Sequence, residues 1–210
     1  MATGSPARDA VNLPEVLPLT LDIEAAPMTS KSPAPPRLVP DRPLPPYAYL
    51  PGRYPHPVRD PGGHSFGHKP DEPEAPDPTR WRECGDYLYG IDLFNHGFYW
   101  EAHEAWEGLW HALGRRGVTA NYVQALINFA AAGFKARWGN IRGVRANAQT
   151  AAKLFASAAR QLGPDSGLYM GLDVQALLLW TTGLTKQPAV AHGTNTEADA
   201  VSFEFMLRPE

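Results

Sequence analysis

The 210-residue chain has a single cysteine, Cys84, which excludes an internal disulfide framework and a thiolate zinc cluster. Proline all but disappears from its second part, because of 22 prolines only Pro164, Pro188 and Pro209 follow residue 80. No run approaches the roughly 18 uninterrupted apolar residues of a membrane span, and residues 1–28 lack the apolar stretch behind a basic start that marks a secretory signal. A cytoplasmic location with no membrane partner is the resulting expectation. Acid is missing too: Gly108–Pro164 contains no Asp or Glu, whereas Arg115, Arg116, Lys135, Arg137, Arg142, Arg145, Lys153 and Arg160 supply positive charge. The net charge of −3 exerts no global pull toward nucleic acid. The basic residues are interspersed with alanine on two helices, so nucleic acid is a disfavoured partner.

The proline distribution divides the chain. Residues 1–40 are poor in aromatics and broken by proline, so they bury too little apolar surface to offset their ordering entropy, and disorder is expected there. Residues 41–80 carry Tyr47, Tyr49, Tyr54 and Phe66 among prolines and glycines, which reads as an extended, non-helical arm with aromatic anchors for docking on the domain. The three histidines of Pro55–His68 suggest a lid across the helix that bears His103; Ser65 there lacks the sharp strand-to-helix turn of a hydrolase nucleophile. The roughly 130 residues after Arg80 suffice for one hydrophobic core and not two.

Helical periodicity takes over after Pro78. It predicts an all-α fold, a compact bundle of four to five helices near 81–95, 98–113, 119–138, 140–162 and 173–182, making a domain of residues 81–182 with a tail of 183–210. Gly97 is placed to end the first helix in a left-handed conformation, and Thr119 to cap the third. Ala130–Ala132 and the alanines from Ala146 to Ala159 put small residues on the third and fourth helices, which should pack closely as an antiparallel pair. Val201–Leu207 alternates apolar and polar residues, as a strand-like segment or a frayed end would.

The densest cluster of chemistry is FNHGFYWEAHEAWEGLWH, Phe94–His111. Residues three and four apart share a helix face, so Glu101 sits with Glu104, His103 with Glu107, and Glu104 and Glu107 with His111. The pattern F-N-x-G-x-Y-W-E-A-H-E-x-W-E-x-L-W resembles the signature of the family called domain of unknown function 309. Val123–Phe134, Trp138–Ala146 and Tyr169–Leu177 are similar to that family's later helices in the same order, extending the resemblance over roughly Trp81–Trp180. It implies a small all-helical domain and supplies no reaction.

Three readings of the motif stay open. In the first, His103-Glu104-x-x-Glu107 binds a divalent metal through His103 and Glu107, with Glu104 as base and a third ligand from His56, His64, His68, His96 or His111. In the second, His103 and Glu104 act as a metal-free acid–base pair in a pocket formed by Glu101, Glu107, Trp110 and Gln124. Arg142 and Arg145, at the start of the fourth helix, would there hold a small-molecule anion. In the third, the glutamates pair with Lys or Arg across helix interfaces, and Gln124, Asn128 and His103 complete a buried network with no catalysis. A ferritin-type di-iron site is excluded, since the third and fourth helices offer no carboxylate or histidine. A homo-oligomer is compatible with all three.

Overall fold

Apolar residues recurring every three to four positions form five helices: α1 Gly85–Asn95, α2 Tyr99–Ala112, α3 Val118–Arg137, α4 Ile141–Leu162 and α5 Val174–Lys186. A computed structural model describes residues 35–68, 72–163, 167–188 and 205–210, all within the unit Ala34–Glu210. The fold is all-α, as the periodicity implied. The sheet among the described residues is one minimal hairpin, β1 Leu168–Tyr169 antiparallel to β2 Leu172–Asp173. Its turn uses Met170 and Gly171 at φ 47° and 79°, the left-handed pair that a two-residue hairpin demands.

Several boundaries differ from the sequence-based expectation, each for a local reason. The helix expected from residue 81 begins as a separate 3-10 turn, Trp81–Glu83, because Cys84 is extended at ψ 90° and interrupts it. Gly117, at φ 91°, precedes α3 as its N-cap, whereas Thr119 lies inside the helix with its hydroxyl 2.7 Å from that of Tyr169. The fifth helix extends to Lys186, since no proline intervenes before Pro188. Two caps are side-chain oxygens: Asn140 accepts from Gly143 N at 2.8 Å, and Asp173 accepts from Gln175 N and Ala176 N at 2.8 and 3.0 Å. Gly97 has φ 81° and turns the chain from α1 into α2.

The helices pack in chain order, α1 on α2, α2 on α3, α3 on α4 and α4 on α5, with α3 and α4 in the most extensive contact. Buried Ala130, Ala132, Ala136, Ala148, Ala151 and Ala158 lie on that pair. Trp106 is fully buried and donates through Nε1 to Tyr87 O at 3.2 Å. It packs so tightly on α1 that a Cβ added to Gly90 would lie 2.1 Å from its Nε1. Tyr87 and Tyr122 join hydroxyls at 3.0 Å in the core, and Tyr87 also donates to Met170 O at 2.9 Å.

Chain segments outside the bundle cover α1. Asp92, which alternation alone assigns to a polar position, is fully buried and accepts from Arg37 Nε, Leu38 N and Val39 N at 2.9, 2.8 and 2.9 Å. Tyr89 donates its hydroxyl to Pro43 O at 2.8 Å. Asn95 binds the backbone of Leu207 twice, donating to its O and accepting from its N, both at 2.8 Å. For the tail, neither the strand-like segment nor the frayed end describes residues 205–207: they form no strand, and Leu207 is buried as an irregular anchor. Residues 201–204 lie outside the described residues, as do 1–34, most of the stretch for which disorder is expected. Among the described residues, no helix is long and apolar enough to cross a membrane.

Candidate functional site

The α2 helix divides the motif into two faces. Tyr99, Ala102, Trp106 and Leu109 recur at helical spacing and enter the core, which leaves His103, Glu104, Glu107 and His111 on the outward side. Glu101, in the first turn, is also buried. The carboxylates called to one site thus occupy different environments.

Glu101 meets the arm. Its Oε1 accepts from Tyr49 N at 2.8 Å and lies 3.4 Å from His64 Nε2, while Oε2 is buried without a hydrogen-bond partner. His64 in turn places Nδ1 2.9 Å from Ser65 Oγ and its ring against Tyr47, centroids 4.8 Å apart. Beside it, Trp100 contacts Tyr49 and His56 at centroid separations of 5.5 and 5.4 Å. These contacts bring the Pro55–His68 segment onto Trp100 and Glu101, at the start of α2. Farther along, a Cβ added to Gly108 would sit 3.2 Å from Pro73.

The outward face gathers three potential ligands. Atoms of His103, Glu104 and Glu107 all lie within 4.8 Å of one another. His103 Nδ1 is 3.3 Å from Glu104 Oε1, close enough for an ion pair once the ring is protonated, yet it is buried and lacks an aligned hydrogen bond. Glu107 Oε1 is 3.9 Å from His111 Nε2. Arg115 lies against the His111 ring at 3.2 Å and over Trp110 at 5.1 Å, and Trp110 Nε1 is buried without a partner.

The remaining candidate residues are dispersed. Gln124 is half-buried, and its backbone oxygen accepts from the Asn128 side chain at 2.8 Å, so Asn128 bonds along its own helix instead of joining His103. Arg142 and Arg145 are exposed on α4, which packs on α3 and α5, and Arg145 donates to Thr185 O at 3.1 Å. Among the described residues neither arginine is bonded to the acidic helix, and α3 packs against both α2 and α4. Nor do the ion pairs of Glu104 and Glu107 cross a helix interface: they are made with His103 and His111 of α2 itself.

The external third metal ligand is likewise not brought to the cluster. His56 and His64 are engaged at Trp100 and Glu101, His96 Nδ1 donates to Asp92 O at 2.8 Å, and His68 is exposed. Glu104 completes the group instead. Sequence reasoning missed Asp92 and Asn95, which fasten the chain segments covering α1. The available signal was α1 itself, DYLYGIDLFN, too apolar all round for a helix with a solvent face.

Arg137 also escaped notice as anything beyond a basic residue. It is half-buried near the end of α3 and donates through Nη1 to Gly97 O at 2.7 Å. Burial pulls its guanidinium below the ordinary value, Tyr99, Glu101 and Tyr54 oppose that shift, and Arg53 adds to it.

No curated protein and no solved structure matches the chain. Residues 87–147, which run from α1 through the motif helix into α4, match a family model, whereas the later segment Tyr169–Leu177, which also carried the resemblance, falls outside the match. The matched segment of this chain belongs to the family described as Domain of unknown function (DUF309).

Proposed function

We propose that this helical protein binds a divalent metal ion on the outward face of α2 through His103, Glu104 and Glu107. The carrying observation is their mutual approach, with ligand atoms within 4.8 Å of one another. One imidazole and two carboxylates form a nitrogen–oxygen donor set suited to zinc or manganese. Three ligands on a single helix leave the other coordination positions to water or to an oxygen of a small molecule. That open geometry is compatible with catalysis, and no reaction class is assigned to it.

The test is calorimetric titration of the metal-free protein with Zn²⁺ and Mn²⁺, alongside His103→Ala and Glu107→Gln. One ion per chain, lost in both variants, is the expected result; absence of saturable binding to the wild type defeats the proposal.

A structural role is favoured for Glu101 alone, because its Oε1 is already occupied by Tyr49 N at 2.8 Å. On this reading residues 41–68 form a strap over α1 and the start of α2. The motif then performs two tasks, holding the strap with its first carboxylate and an ion with the residues that follow.

A further inference from the structure

Between α4 and α5 runs a groove of about 380 Å³, lined by Ala152 and Ala156 of the one, Leu178 and Thr182 of the other, and the exposed Lys153 and Lys186. None of His103, Glu104 and Glu107 lines it, so it is independent of the proposed metal site. Two alanines one turn apart lower one wall, which lets a further helix approach closely. Leu179, three residues before Thr182 and so on the same face, is 76% exposed, and the apolar surface extends beyond the groove itself.

Charge on this face has one sign. α4 buries Val144, Ala148, Ala151, Phe155 and Ala158, and at 3.6 residues per turn Arg142, Arg145, Lys153 and Arg160 fall within about a quarter-turn on the opposite side. All four are exposed, as is Lys186 of α5. A helix that faces only water ordinarily mixes signs, so that neighbours one turn apart pair. Here α4 and α5 contain no Asp or Glu, and among the described residues none of the five cations forms an ion pair. Arg145 donates to Thr185 O at 3.1 Å, which holds its charge at the end of the groove beside Lys186. The acid next to α5 in sequence, Asp173, caps the start of that helix through Gln175 N and Ala176 N, at the end opposite Lys186.

We infer that the α4–α5 face docks an acidic amphipathic helix of a partner protein, its apolar side in the groove and its carboxylates on Lys153, Lys186 and Arg145. A nucleic-acid backbone uses the charge and leaves the apolar floor idle. Among the described residues this chain offers no such helix to a second copy, because the acid-bearing α1 and α2 both turn their apolar residues into their own core.

Fluorescence anisotropy of the full chain with a labelled synthetic helix, leucine at every third or fourth position and glutamate around it, tests this. Saturable binding is expected, weakened about tenfold by Lys153→Glu or Lys186→Glu, both at exposed positions that should fold normally. Leu178→Ser should weaken it comparably, and Thr182→Asn reports on the same wall should Leu178→Ser fail to fold. Replacing the leucines of the peptide with serine should abolish binding. Absence of saturable binding to the wild type, equal affinity for the serine peptide, or unchanged affinity in Lys153→Glu and Lys186→Glu would overturn the assignment. So would tighter binding of a short DNA duplex that Thr182→Asn does not affect, which gives the face to nucleic acid, or self-association of the protein alone that Lys153→Glu abolishes, which gives it to a second copy.

Discussion

Replacing Asp92 with alanine tests how the chain ahead of the bundle is held. The carboxylate is fully buried and accepts three hydrogen bonds of 2.8–2.9 Å, from Arg37 Nε and the amides of Leu38 and Val39. Charge-assisted bonds contribute about 1.5–3 kcal/mol each, so a simple sum gives roughly 5–9 kcal/mol. Water recovers part of that, since Arg37 and the two amides regain solvent if their segment lifts away. Breaking a buried ion pair by removing one partner costs about 3–5 kcal/mol, the range expected for Asp92→Ala. With a urea slope of about 2 kcal/mol per M, a loss of about 4 kcal/mol lowers the unfolding midpoint by about 2 M. Asp92→Asn retains one oxygen for Leu38 N but turns an amide NH₂ toward Arg37 and Val39 N, so most of the loss should persist. Native-state trypsin digestion should cut faster at Arg37 and Arg53 in both variants. A midpoint change worth under about 1 kcal/mol in Asp92→Ala, or wild-type stability in Asp92→Asn, would refute the reasoning.

Gly90→Ala should destabilise by about 1–3 kcal/mol in thermal unfolding, because the new methyl meets Trp106 Nε1 at 2.1 Å in a filled core. His103→Ala and Glu104→Gln should each stay within about 0.5 kcal/mol of wild type while removing metal uptake, since these side chains are partly exposed and, among the described residues, bonded to no other helix. Burial holds the Tyr87 and Tyr122 hydroxyls well above their usual range, which stabilises the neutral form of the folded state. That stability is fully present below the unfolded tyrosine value near 10 and is lost as pH rises toward the folded values; ultraviolet titration should show these two ionising only as the fold opens. Burial also pushes the Cys84 thiol up, so a thiol-specific reagent should label the native protein much more slowly than the urea-unfolded chain.

The helices were legible because apolar periodicity and glycine terminators are local properties, and every helix of the bundle lies near its expected span. The errors occurred where a distant segment overrides a local pattern. Asp92 sits among apolar neighbours and reads as a surface acid until residues 37–39 arrive over it. Thr119 has the chemistry of a cap, but Gly117 turns the chain two residues earlier and leaves the hydroxyl to Tyr169. For the candidate site, spacing correctly grouped His103, Glu104 and Glu107 because all three belong to one helix. The same rule could not separate Glu101, whose environment is made by Tyr49 and His64 of the arm. It also could not foresee that α3 would lie against both α2 and α4, or that Arg145 would bond to Thr185 of α5.

Asp92 and Glu101 recognise main-chain N–H groups of the chain ahead of the bundle, at Leu38, Val39 and Tyr49. A carboxylate that reads an amide is indifferent to the side chain beyond it, with one exception: proline has no hydrogen to give. Prolines stand at 35, 36, 40, 43, 45, 46, 51, 55 and 57, so the three donors occupy gaps in a stretch crowded with residues unable to serve. The arm is therefore specified partly by where proline is withheld. Alanine at 38, 39 or 49 should leave the corresponding backbone bond intact, whereas proline at any of them would delete it, and proline at 38 would strand the buried Asp92 Oδ1.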